Sequence, residues 1–237
     1  METETRPHIR FARTAIPAAV VIVAVIACGI LLRSSAGWTS AEMDVLRQVN
    51  IAHTPVLDWI ALGINWLFAP EVATVVVLLA TGWILFDTRR PRTAIQFLLI
   101  VVIPTLGAAV IKLIVHRPRP DIPSLTHILV LEPGGLSFPS GHTSFAASIL
   151  LGLIVVTAHH GRRPLLIGVA VVVVLGTAAS RVYLGVHYPS DVVASIVYAI
   201  AAVTLANASW TLMMSHWTKR RSGPHAGAAH GGAQGAH

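Results

Sequence analysis

Between two long apolar runs lies a twelve-residue stretch, Ser180-Arg181-Val182-Tyr183-Leu184-Gly185-Val186-His187-Tyr188-Pro189-Ser190-Asp191. It holds an arginine, a histidine and an aspartate where a bilayer-spanning chain ordinarily has a bland turn. Pro189 suits the first turn of a helix, so a helix is expected from about Tyr188, with Asp191 in its opening turn and His187 just outside. A carboxylate at that separation can hold an imidazole in one tautomer and stabilise its charged form. Two further stretches carry complementary residue types. Lys112 is followed seven residues on by Arg119-Pro120, and Pro139-Ser140-Gly141-His142 leads into another apolar run.

Lys112, Arg119 and Arg181 are fixed cations at the edges of apolar segments. A cation at the bilayer centre costs about 2.5–3.5 kcal/mol on insertion scales, so three grouped at helix ends point to an anionic ligand. The planar fork of arginine matches phosphate oxygens. Ser140 suits an N-cap, and the free N–H groups of Gly141 and His142 would then face outward as an anion site. In-line phosphoryl transfer needs an attacker and a leaving-group acid. His187, held by Asp191, fits the first role by forming a phosphohistidine. His142 fits the second, later deprotonating the water that hydrolyses the intermediate. The same two histidines and aspartate also have the composition of a two-His, one-carboxylate metal site. Three adjacent cations would repel a divalent ion, so no metal and no cofactor is expected.

Each piece taken singly has a plainer reading. Lys112 and Arg117 can snorkel at a helix end, and Pro139-Ser140-Gly141 can be an ordinary helix start. Arg117 and Asp121 are expected to shape their loop or pair with each other. Tyr183 and Tyr188 read as interfacial aromatics, and Ser144 and Ser148 as span-packing residues.

The elements that must position these residues follow from composition and pattern. The 237 residues are 54% hydrophobic and 11% charged, with mean hydropathy +0.72, which places the chain in the membrane class. The single cysteine, Cys28, excludes an internal disulfide. The net charge of +7 is concentrated in short basic loops and does not suggest nucleic-acid binding. Apolar runs at about 15–32, 70–86, 93–115, 141–158, 165–184 and 188–214 are each near the roughly 20 residues needed to cross a bilayer. The expected fold is all-α: a polytopic membrane protein of six transmembrane helices. Short interfacial helices fall in the first outer loop. One is opened by a capping box at Thr39-Ser40-Ala41-Glu42 and another by Thr54-Pro55, with Leu57, Ile60, Ile64, Leu67 and Phe68 on one face.

Arg6, Arg10 and Arg13 precede the first run, as in a signal peptide, but the run continues past Cys28 to Leu32, which favours an uncleaved anchor. Residues 1–14 are then a cytoplasmic N-terminus and 15–214 the membrane domain. Residues 215–237 form a cytoplasmic tail, rich in Gly, Ala and His and expected to be disordered. Six spans put Arg6, Arg10, Arg13, Arg89, Arg90, Arg92, Arg162, Arg163, Lys219, Arg220 and Arg221 on one side, most of the 17 Lys and Arg. The positive-inside rule makes that side cytoplasmic. Parity then brings the 3–4 and 5–6 loops together on the other side.

Lys112-x6-Arg119-Pro120, Pro139-Ser140-Gly141-His142 and Ser180-Arg181-x5-His187-x3-Asp191 resemble the three signature motifs of the type-2 phosphatidic acid phosphatase superfamily. That group includes membrane lipid phosphatases, glucose-6-phosphatases and soluble vanadium haloperoxidases. Every motif position is matched in order, over residues 112–191. The resemblance implies a metal-independent phosphatase with His187 as nucleophile, Asp191 as its partner and His142 as acid and base. Lys112, Arg119, Ser140, Gly141 and Arg181 would bind the phosphate. The implied partners are membrane lipids and a lipid phosphate, not nucleic acid, in the cell membrane of a bacterial-type cell. A polyprenyl diphosphate is favoured, with phosphatidic acid, phosphatidylglycerophosphate and diacylglycerol diphosphate next. A lipid phosphotransferase using the same site is one alternative. A transporter or flippase using the His, Asp and Arg cluster is another.

Overall fold

The fold, seen in a computed structural model, is described for residues 2–132, 135–157 and 163–221. Those residues form helices α1 (Glu2–Ser34), α2 (Ala36–Ile51), α3 (Pro55–Leu67), α4 (Pro70–Thr88), α5 (Pro91–Val115), α6 (Gly141–Thr157), α7 (Arg163–Tyr183) and α8 (Pro189–Arg221), with one 3-10 turn at Ile122–Ser124. Proline explains several starts. Helices α3, α4, α5 and α8 all begin on one, where its missing N–H goes unused and its fixed φ is already helical. Left-handed residues close two ends, Arg89 after α4 and His116 after α5.

Five helices, α1, α4, α5, α7 and α8, are long and apolar enough to cross a membrane. The expected fourth span, α6, has 17 residues. At about 1.5 Å per residue it falls short of a hydrocarbon core of roughly 30 Å. Its place explains its length. It packs against α5, α7 and α8 and buries Thr143, Ser144, Ala146, Ala147 and Ser148 within the bundle. The outer helices turn large apolar side chains such as Val23, Leu79, Leu113 and Val172 outward, as a lipid-facing surface requires.

Helices α1, α5 and α7 end, and α4, α6 and α8 begin, at one end of the bundle. There Arg33 Nη1 donates to Val115 O at 3.2 Å, tying the ends of α1 and α5. Helices α2 and α3 and loop residues 116–132 and 135–139 cover this end. Met43, Leu46, Leu125 and Tyr188 form one small core there, and Ala61, Ile122, Leu184 and Val186 another. Asn50 clamps the loop to α2, exchanging two 2.8 Å hydrogen bonds with the backbone of His127.

Two local expectations change. The capping box at Thr39–Glu42 is not used: α2 begins four residues earlier, capped by Ser35, whose Oγ accepts from Trp38 N. Glu42 is thereby released from capping and is buried in the protein. Helix α3 does start at Thr54-Pro55, with Thr54 as N-cap. Its apolar face is turned outward, however, leaving Leu57, Ile60 and Leu67 exposed while Ala61 is buried. Residues 2–14, expected only as a cytoplasmic N-terminus, continue the helix of α1. Helix α8 likewise runs through Arg221, into the expected tail. The remainder of that tail, 222–237, lies outside the described residues.

Candidate active site

The three motif stretches meet at a cavity of about 770 Å3, lined by Lys112, Arg119, Gly141, His142 and His187 together with Asn65 and Glu132. The other predicted residues, Ser140, Arg181 and Asp191, sit behind this lining and are fully buried. The cavity continues away from the charged end between α4 and α5, along Ala73, Val77, Val101, Thr105 and Ala109.

His187 stands on the short turn between α7 and α8. Leu184 N bonds to Ser180 O at 2.9 Å and Val186 N to Arg181 O at 3.2 Å. Gly185 supplies φ +70, a left-handed conformation open to glycine at no steric cost. The imidazole is 1% exposed. Its Nδ1 lies 3.5 Å from Asp191 Oδ2 and its Nε2 lies 3.4 Å from Arg119 Nη1. Asp191 is thus within ion-pair distance, but Nδ1 makes no hydrogen bond among the described residues. Burial, followed by the Arg119, Arg181 and Lys112 cations, pushes His187 well below the usual histidine pKa; Glu132 opposes this.

The cations are held differently. Arg119 Nη1 donates to Val186 O at 2.8 Å, fastening the loop to the His187 turn. Its Nη2 pairs with Glu132 Oε2 at 2.6 Å. Arg181 is wholly buried and divides its fork between Asn65 Oδ1 and the other oxygen of Glu132. One carboxylate therefore bridges two arginines. Burial raises the pKa of Glu132, but Arg181 and Arg119 outweigh it and hold the carboxyl below its ordinary value, so it is ionised. The Nε atoms of Arg119 and Arg181 and the Nε2 of His142 are buried without a hydrogen-bond partner among the described residues. Buried polar atoms of this kind, the two arginine N–H donors above all, are rare and call for a partner.

The start of α6 is built from the inside. Ser140 Oγ caps its own helix, accepting from Thr143 N at 3.4 Å. Ser140 N donates to Ser195 Oγ at 2.7 Å, and Ser195 Oγ donates to Asp191 O at 2.6 Å. The hydroxyl of Ser140 is therefore engaged within the helix end, and Gly141 is the residue that meets the cavity.

Behind Asp191 lies a network that sequence reasoning missed. Arg117 does not pair with Asp121 and does not snorkel. It is 1% exposed, with Nη1 2.7 Å from Asp191 Oδ1 and Nη2 2.7 Å from Glu42 Oε2. Glu42 also accepts from Ser190 N and Ser190 Oγ. Tyr188, expected at the interface, is buried beneath the Arg117 guanidinium, 4.2 Å from its ring centroid. The Tyr183 hydroxyl donates to Asp58 at 2.6 Å. Asn65, Glu132 and Ser195 were missed as well. None of the three is a motif position, although Glu132 follows Arg119 in the same loop and Ser195 lies one turn beyond Asp191 on α8.

Residues 93–215, just over half of the chain, match the PAP2 superfamily, and the chain belongs to it. Among its relatives, the decaprenylphosphoryl-5-phosphoribose phosphatase of Mycobacterium tuberculosis is 41% identical over 91 residues, 38% of this chain. The chain spans just under half, 45%, of that relative's length. The undecaprenyl-diphosphatase of Bacillus subtilis is 30% identical over 148 residues, covering 62% of this chain and 72% of the relative. In overall fold the chain is similar to the crystal structure of a transmembrane PAP2-type phosphatidylglycerolphosphate phosphatase from Bacillus subtilis. The TM-score is 0.63 at 20% identity, over 90% of this chain and 98% of the other.

Proposed function

We propose that the chain is a membrane lipid phosphatase that releases a terminal phosphate through a phosphohistidine intermediate. The observation that carries this reading is the shape and lining of the cavity where the three motif stretches meet. Lys112, Arg119, His142 and His187 stand at one end, and an apolar trough between α4 and α5 leaves from the other. A phosphate on a lipid tail matches both halves, since the tail can stay between helices while the headgroup meets the cations. A polyprenyl diphosphate is the favoured substrate, supported by prenyl-linked substrates in the names of two relatives. Phosphatidic acid and phosphatidylglycerophosphate are next.

Chemical roles follow from the geometry. The Nε2 of His187 faces Arg119, and its Nδ1 faces Asp191. Nε2 is then the attacking atom and Nδ1 carries the proton. The Nε2 lone pair bonds to phosphorus as the P–O bond to the lipid breaks, and His142 gives its proton to the departing oxygen. Water then loses a proton to His142 and attacks phosphorus. This frees inorganic phosphate and restores His187. Lys112, Arg119, Arg181 and the N–H groups of α6 offset the charge on the transferring group. With α6 read as a short central crossing, the distribution of Lys and Arg supports an orientation with this end outside the cytoplasm and both termini inside. The charged groups stand at helix ends and not on broken helices at mid-membrane, which argues against a transporter.

The test is phosphate release by the purified full-length chain from a panel of lipid phosphates and diphosphates, with EDTA present. Release is expected without metal, and His187→Ala should lower it by roughly 10⁴-fold or more. Full activity in His187→Ala would sink the mechanism. Loss to EDTA that is restored by a divalent ion would revive the metal-site reading.

A further inference from the structure

The carboxylate of Glu132 sits where the proposed phosphate ligands converge, and among the described residues it is the only carboxylate lining the cavity. Its two oxygens take the fork ends of Arg119 and Arg181. The donors of those arginines that remain without a partner, the two Nε atoms, are buried behind the fork. A phosphate entering from the cavity therefore meets guanidinium groups already occupied by an anion. Glu132 is also more exposed than either arginine it holds. It lies in irregular chain, and its side chain is 26% exposed against 0% for Arg181 and 13% for Arg119.

We propose that Glu132 is a resident anion that competes with the phosphate for Arg119 and Arg181, and so sets which phosphates the site accepts. This rests on the phosphatase reading of the same cavity. The carboxylate brings one negative charge and two oxygens. A terminal phosphate brings up to two charges and three oxygens, and with Lys112 and the start of α6 it meets more donors than Glu132 reaches. A terminal phosphate monoester or diphosphate displaces the carboxylate; a phosphodiester, with one charge and two free oxygens, offers no more than the carboxylate it must replace. Ordinary membrane phospholipids, which carry phosphodiesters and surround the protein in large excess, are thereby kept off the cations. The same competition speeds departure of inorganic phosphate after hydrolysis, because Glu132 returns to the arginines as the product leaves.

The experiment measures inhibition by inorganic phosphate, and its direct binding by calorimetry, in the full-length protein in detergent. It compares the unsubstituted chain with Glu132→Gln, Glu132→Asp and, as a charge control on the same loop, Asp121→Asn. Glu132→Gln is expected to bind phosphate roughly tenfold more tightly, since a charge-assisted pair no longer competes. It should also bind a short-chain phosphodiester that the unsubstituted protein ignores. Glu132→Asp, with the carboxylate withdrawn by one methylene, should shift phosphate affinity in the same direction by a smaller factor. Asp121→Asn should leave it unchanged. Unchanged or weaker phosphate binding in Glu132→Gln would overturn the proposal and make Glu132 a fixed brace between the arginines. If that variant does not fold, Glu132→Asp decides in the same way. Absence of lipid-phosphate hydrolysis by the unsubstituted chain would overturn the phosphatase reading instead. Calorimetry would still report the competition.

Discussion

Arg117 and Arg181 are both fully buried at the same end of the bundle, and both hold carboxylates, but in opposite proportions. Arg117 lies between two carboxylates, Glu42 and Asp191, and both its Nη atoms are engaged at 2.7 Å. Arg181 shares one carboxylate, Glu132, with a second arginine, and Lys112 stands nearby on the same cavity. Behind His187 there is one cation for two anions; in front of it there are three cations for one anion. Buried charge is tolerated when it is paired and fully hydrogen-bonded. The Arg117 cluster, its charge matched by two carboxylates although its Nε too has no partner among the described residues, comes close to that condition without a ligand, so it serves as framework. The Arg181 cluster does not, and its excess of cations and unpartnered donors is what an anion would satisfy.

Truncating each arginine should separate the two roles. Arg117→Ala leaves Glu42 and Asp191 as uncompensated buried carboxylates. Breaking a buried pair in this way costs about 3–5 kcal/mol, so a large fall in thermal unfolding temperature in detergent is expected. Arg117→Lys should recover only part of it, because one ammonium cannot span both carboxylates as the fork does. Arg181→Ala leaves Glu132 still paired to Arg119, so its stability cost should be nearer 1–3 kcal/mol, while kcat/KM falls by roughly 10²-fold or more. If Arg117→Ala kept stability and lost only activity, the front and back assignments would have to be exchanged.

The same contrast explains what the sequence disclosed. Lys112, Arg119, His142 and His187 were readable because their types are chemically unusual beside apolar runs and their spacing is fixed by helix ends. The helix starts at Pro55, Pro70 and Pro189 were readable because proline acts locally. Arg117 was misread because its partners, Glu42 and Asp191, are 75 and 74 residues away in the chain, and no local pattern encodes such a pairing. Glu42 was worse than silent. Its position suited a capping box, and the earlier cap at Ser35 won, leaving the carboxylate free to turn inward. Asn65 sat on a helix whose apolar face suggested a purely interfacial role. Helix α6 was drawn as an ordinary span, although its serines and threonine, buried among three neighbouring helices, suit a central helix better than a lipid-facing one.

Acid dependence probes the front cluster with a smaller effect. In the proposed mechanism neutral His187 is the attacking form. A pKa depressed by burial and by Arg119, Arg181 and Lys112 keeps it neutral as pH falls, so the acid limb of kcat/KM should lie below the ordinary histidine value of about 6.5. Removing a cation relieves that depression, and Arg119→Gln should move the limb upward. Removing the opposing charge deepens it, and Glu132→Gln should move the limb further toward acid. Framework changes should leave the limb where it is unless they unfold the site. A limb that shifted the same way in both variants would mean that some other group is titrating.

The smallest expected effects concern single hydroxyls, and they repeat the contrast between satisfied and unsatisfied groups on a finer scale. Ser195 Oγ links the start of α6 to α8, accepting from Ser140 N and donating to Asp191 O. In Ser195→Ala the buried Ser140 N–H keeps only a 3.5 Å approach to Asp191 O, so a loss of about 1–2 kcal/mol is expected, with a few-fold fall in kcat as His142 and His187 lose their common tie. Ser148, one turn further into the same helix from Ser144, is equally buried, but its hydroxyl has no partner among the described residues. Ser148→Ala removes an unsatisfied polar atom and a volume smaller than a methyl group. It should therefore be neutral or stabilising by up to about 1 kcal/mol, with kcat/KM unchanged. Matched thermal unfolding curves for the two variants would check this. Equal destabilisation by both would show that α6 is held by hydroxyl packing along its whole length, and that the Ser195 stitch has no special part in setting the site.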